Sequence, residues 1–212
     1  MSIDILIKQL NSDDPPLQSR AALFLRLEGD IHSAYSVLPL LFEKARKVDV
    51  ENGHIDLHSS NFVGEAAKTS ARLIRKVGYS EENDLHRLVL NWVFDLNYCS
   101  ELNAAAHSVA ALGELWLPPE SVRTRLIEMV HIHRRPDNKL EHPGTVRALA
   151  FRELASRDRE TAKKLIDTSA RREFVGFMNY QIEEHRKRHP NNETVRPKYR
   201  AEIDWLNNAD AG

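Results

Sequence analysis

The sequence predicts an all-helical fold of stacked helix pairs, and three observations carry that prediction. Leu, Ala, Arg and Glu dominate the long segments, and all four are good helix formers. Helix breakers recur along the chain at Asp13-Asp14-Pro15-Pro16, Gly29-Asp30, Gly53, Gly78, Pro118-Pro119, Pro136 and Pro143-Gly144. The segments between them run to about 12–18 residues, with apolar positions three and four apart, the mark of an amphipathic helix. With 42% apolar and 29% charged residues, the chain reads as globular with a heavily charged surface rather than disordered. Its 212 residues permit one large domain or two small ones.

Taken in order, Leu6, Leu10, Leu17, Ala21, Phe24 and Leu25 keep helical spacing, interrupted only at the prolines. Val37 to Lys47 reads as a further helix, whose early Pro39 is tolerated because a first turn needs no amide donor. Phe62, Ala104 and Val146 each open a helix with small residues downstream, namely Ala66-Ala67, then Ser108 with Ala110-Ala111, then Ala148 with Ala150. These three follow one another at 42 residues, and Leu17 precedes Phe62 by 45. In between, Leu85, Leu88, Leu90, Val93, Phe94 and Leu96 clothe one helix in apolar groups almost all round, which favours burial. Leu90 and Phe94 are the residues that would otherwise form an exposed docking patch.

The first unit, LIKQLNSDDPPLQSRAALFLRL, resembles a HEAT repeat. Asp14-Pro15 stands where that family turns, Leu17 where it has an aliphatic residue, and Ala21-Ala22 where small residues let helices approach. VLPLLFEKARK resembles the second HEAT helix, and Gly113 and Leu115 also sit at family positions. Spacings of 42 and 45 residues lie in the HEAT or armadillo range. The resemblance implies a right-handed α-solenoid of about four helix pairs with a C-terminal helical cap. The expected units are residues 3–47, 60–98, 101–134 and 143–172 of a single 1–206 domain, with the long connection VDVENGHIDLHSS before the second. A cap over 173–206 carries the apolar stripe Phe174, Phe177, Met178 and Ile182. Pro190 ends its helix, Tyr199, Ile203, Trp205 and Leu206 fold back, and 207–212 are expected to fray.

The N-terminus lacks the basic and apolar regions of a signal peptide, and no apolar stretch approaches the roughly 20 residues that span a bilayer. The lone Cys99 excludes an internal disulfide. A cytoplasmic protein with no membrane partner and no cofactor is expected. Charge is placed unevenly. Residues 1–121 carry 11 Lys/Arg against 17 Asp/Glu, a net of −6, whereas 122–200 carry 19 against 11, a net of +8.

Ten histidines raise metal chemistry, with His131, His133 and His142 the weak candidates and His185 and His189 one turn apart. No full ligand set accompanies them. The HEAT-like di-iron hydroxylases use His-Glu pairs, and none occurs here. The HEAT-like alkylpurine DNA glycosylases combine aromatics with an Asp and an Arg on a concave face; Trp92, Asp95 and Trp116 are suitable types, but no motif of that family matches residue by residue. Glycine-rich phosphate loops and nucleophile motifs are missing from the sequence.

What remains is a surface. On the second helix of unit three, Val122, Leu126, Met129 and Val130 form the inward stripe, leaving Arg125, Glu128, His131 and Arg135 to face away. In unit four, Ala162, Leu165 and Ile166 point inward, and Lys163, Lys164 and Arg171 point out. The expectation is a non-enzymatic adaptor, scaffold or toxin-neutralising module that grips a protein partner through these residues on a concave second-helix surface. Nucleic-acid binding through the basic C-terminal half is the alternative.

Overall fold

A computed structural model describes residues 2–48, 55–99, 101–116, 119–131, 143–165, 168–190, 200, 203–205 and 207–208, with the side chains of 119, 143 and 168–171 excepted. Among the described residues the structure is all-helical, with eleven helices. They are α1 Ile3–Leu10, α2 Pro15–Leu27, α3 Ile31–Ser36, α4 Leu38–Arg46, α5 Leu57–Val77 and α6 Asp84–Leu96. α7 Leu102–Leu115, α8 Pro119–Val130, α9 Pro143–Ala155, α10 Arg159–Lys164 and α11 Thr168–Arg188 follow. The chain forms two compact units, Met1–Glu153 and Leu154–Gly212. No helix among the described residues is long and apolar enough to cross a membrane.

Local sequence explains where the helices start. Asp30 and Asp56 open α3 and α5 with the same device, an Asp-apolar-His-Ser run. Each carboxylate accepts from the two amides that follow at His and Ser, and from the Ser hydroxyl, which holds the acid below its ordinary pKa. Asn83 and Asp158 cap α6 and α10 in the same sense. At the other ends, Gly78 takes φ 93 after α5, whereas Trp116 takes φ 43 after α7, a left-handed cap in which a bulky residue is strained.

In unit 1, α5 is the centre, with α2 along one side, α7 along the other, and α3, α4 and α6 also against it. Its buried face explains why. Phe62, Val63, Gly64, Ala66, Ala67, Thr69, Ser70, Ala71, Leu73 and Ile74 are all buried, and most are small enough to let neighbouring helices approach. Ala21 and Ala22 of α2 and Ala104, Ala105, Ser108 and Ala111 of α7 meet them in kind. A Cβ at Gly64 would run into the His107 ring of α7, and one at Gly113 into the Glu153 side chain. Two buried polar groups at these contacts find partners. Thr69 Oγ1 donates to the Ala22 carbonyl at 2.9 Å, and Asn97 Nδ2 to Ser108 Oγ at 2.7 Å.

The second set, α4, α6 and α8, packs through large side chains. Phe42 and Trp92 meet edge to face at 5.4 Å, and α8 meets α6 and the turn after it through Arg125 over Phe94 and Tyr98. Val122, Leu126, Met129 and Val130 form the buried stripe of α8, as the spacing predicts. α6 departs from its expectation of all-round burial. Val89, Leu90, Val93 and Leu96 are buried, but Leu88 is 49% exposed on a free stripe with Asp84, Asn91 and Asp95.

In unit 2, Ala162, Phe174 and Met178 are buried, and Phe177 and Ile182 are half-buried. Arg159 lies 5.5 Å over the Trp205 ring, so Trp205 packs against the start of α10. α11 stops at Arg188, just before Pro190. Tyr199, Leu206 and residues 49–54 of the long connection lie outside the described residues.

Candidate functional site

The α8 face is built differently from the expected basic patch. Arg125 sits with its guanidinium carbon 4.8 Å from the Phe94 ring centroid and 4.9 Å from that of Tyr98. Glu128 lies 3.3 Å away, and the Tyr98 hydroxyl donates to the same carboxylate at 3.4 Å. The Arg125 side chain is only 22% exposed, so its charge holds α8 to α6 and is not offered to a partner. Phe94 is the base of that stack and Leu90 is 6% exposed, so the two do not make an open docking patch. Glu128 and His131 remain exposed.

In unit 2, Lys163 and Lys164 are exposed on α10, as the spacing predicts. Arg135, His133, His142 and the Arg171 side chain lie outside the described residues. Among the described residues no group of three or more His, Cys, Asp and Glu is placed to hold a metal ion. His185 and His189 do come together, their rings 4.9 Å apart. Trp92 is occupied with Phe42, Asp95 is exposed on α6, and Trp116 is the left-handed cap of α7.

A second charged surface lies on α5, away from the expected patch. Between its end turns α5 leaves only a narrow stripe half-exposed, Asn61, Glu65, Lys68 and Arg72, and charged groups from α2 and α7 converge on it. Glu65 pairs with Arg26 of α2 at 2.8 Å and with Lys68 at 3.1 Å, and His107 Nδ1 of α7 stands 3.8 Å from it. Burial, reinforced by the Lys68 charge, pushes the His107 imidazole down to about 4 against the opposing pull of Glu65. His107 is therefore neutral at pH 7, and its approach to Glu65 is not an ion pair. Farther along the same stripe, Arg72, Arg75, Lys76 and Glu114 line a cavity of 390 Å³. Glu114 stands 3.9 Å from Arg72 and 3.6 Å from Arg75. The sequence signal for this cluster is the charge spacing Glu65, Lys68, Arg72, Arg75 on an otherwise small and apolar helix.

A buried polar group elsewhere in unit 1 is structural. His86 is 2% exposed, and its Nδ1 accepts from the Ser80 amide at 3.0 Å. The ring proton must then sit on Nε2, 2.7 Å from the Tyr35 hydroxyl, which also accepts from Asn83 Nδ2 at 3.3 Å. Burial lowers the His86 pKa, and a second proton would cost the Ser80 hydrogen bond. This ties α3 to the start of α6. No family model matches the chain, and comparison with curated proteins and with solved structures returns no similar one.

Proposed function

We propose that this chain is a non-enzymatic protein-interaction module of the adaptor, scaffold or toxin-neutralising kind. Its helix pairs form a HEAT-like right-handed α-solenoid that takes a protein partner on the second-helix face of α4, α6 and α8. The carrying observation is the free stripe of α6, where Leu88 stands 49% exposed among the exposed Asp84, Arg87, Asn91 and Asp95. Through the Arg125 stack this stripe continues onto α8, which exposes Glu120, Thr124, Glu128 and His131. Asp84, Glu120 and Glu128 are paired with Arg87, Arg123 and Arg125, so an apolar tip beside the exposed Asp95 suits a partner with a cation next to an apolar socket. Arg125 supports this face from beneath. The test is capture from native extract with wild-type bait and with Leu88→Asp and Asp95→Lys baits. A specific partner should be held by the first and lost from the others, and equal capture by all three would sink the reading.

Nucleic-acid binding is the second reading, and the exposed Lys163 and Lys164 favour it. A gel-shift titration at low salt, where phosphate contacts are strongest, tests it. Unretarded DNA and RNA would remove it.

A further inference from the structure

The cavity at the C-terminal ends of α5 and α7 is not used by the proposed partner face. Arg72, Arg75 and Lys76 face one carboxylate, Glu114, which leaves two positive charges uncompensated among the described residues. Glu114 is a loose partner. Its distances of 3.9 Å to Arg72 and 3.6 Å to Arg75 exceed the ~2.7–2.9 Å of a charge-assisted hydrogen bond. Arg75 also comes within 3.5 Å of the Glu114 carbonyl, a contact that leaves its fork unconsumed. Lys76 is exposed and has no acidic partner among the described residues.

Arg75 and Lys76 stand in the last turn of α5, where cations offset the helix dipole. That role accounts for neither the cavity nor Arg72, a turn earlier and aimed at the same carboxylate. The 390 Å³ volume falls in the ~300–1,000 Å³ range of small-molecule sites and leaves room beyond the anionic group itself.

We propose that this cavity binds a phosphate dianion, either free or as the phosphate group of a small molecule. Two uncompensated positive charges match the roughly −1.5 to −2 carried by a phosphate monoester at neutral pH, whereas a carboxylate would leave one unmatched. Arginine forks supply the paired donors that oxyanions take, and Lys76 supplies a mobile point charge. The site is independent of the α6 face, so either proposal can fail alone.

The test is calorimetric titration of the full chain at pH 7.5 and fixed ionic strength with inorganic phosphate, glycerol 3-phosphate and acetate. Saturable binding of phosphate, with acetate weaker by at least roughly tenfold, is expected. Lys76→Gln should weaken phosphate by roughly three- to tenfold, the loss of one charge-assisted contact. Arg72→Gln with Arg75→Gln should abolish binding, with helical circular dichroism confirming the fold. Lys8→Gln, an exposed cation on α1, should bind as wild type. Tighter glycerol 3-phosphate would identify an organic phosphate as the ligand, and tighter inorganic phosphate the free ion. Phosphate binding no better than acetate, or Lys76→Gln binding phosphate as well as wild type, would overturn the site.

Discussion

The two helix layers of unit 1 are assembled by opposite means. α2, α5 and α7 meet through Ala, Gly, Ser and Thr, with charges bridging the outer edge at Arg26, Glu65 and Lys68. α4, α6 and α8 meet through Phe42, Trp92, Phe94, Tyr98 and Arg125. Small-residue contacts depend on close backbone approach and tolerate little added volume. Contacts made by long or aromatic side chains span wider gaps and can repack. The first layer should therefore be the brittle one.

The largest effect should come from pH acting on that layer. His107 falls from an ordinary 6.5 to about 4 in the folded chain, so the unfolded state binds its proton more readily. Its contribution is fully present above pH 6.5 and is lost as pH falls through about 4. The loss is at most about 3 kcal/mol. Urea unfolding at pH 7 and pH 4.5 should show it, and His107→Gln should flatten the difference; an unchanged slope would mean His107 titrates normally.

Gly64→Ala comes next, because the new Cβ meets the fixed base of the His107 ring. It should cost about 1–3 kcal/mol by chemical denaturation. In the other layer, Arg125→Met keeps the stem but removes the charge over Phe94 and Tyr98, and about 1 kcal/mol should be lost. A loss for Arg125→Met as large as that of Gly64→Ala would erase the contrast. Gly113→Ala should be nearly silent. There the Cβ meets the movable end of Glu153, and the gain in helix propensity of about 0.5–1 kcal/mol offsets the shift.

Much of the core is legible in the sequence because periodicity records burial. Phe62, Ala104 and Val146 recur at 42 residues, and all three are fully buried. α3 escapes that reading because six residues are too few to display a period. The free stripe of α6 is missed because Leu88 is apolar yet exposed, and apolar residues are common on surfaces. Arg125 reads as an outward cation since its position on α8 is outward; only the arrival of Phe94 of α6 and Tyr98 from the turn after it makes it a clamp. The cavity hides for a related reason. Net charge summed over 1–121 is −6, yet within that stretch one helix face collects Lys68, Arg72, Arg75 and Lys76. Averages along the chain erase what a helix face separates.

His86 gives the molecule a built-in spectroscopic reporter. Its Nε2 proton is buried and held against the Tyr35 hydroxyl, while Nδ1 is kept bare by the Ser80 amide. A ring proton so shielded exchanges slowly with water and should give a separate downfield resonance, without any label. That signal exists only while Tyr35 of α3 stays docked on the start of α6. Following it during titration with a partner or an anion would tell whether the N-terminal helices shift when the rest of the unit is engaged.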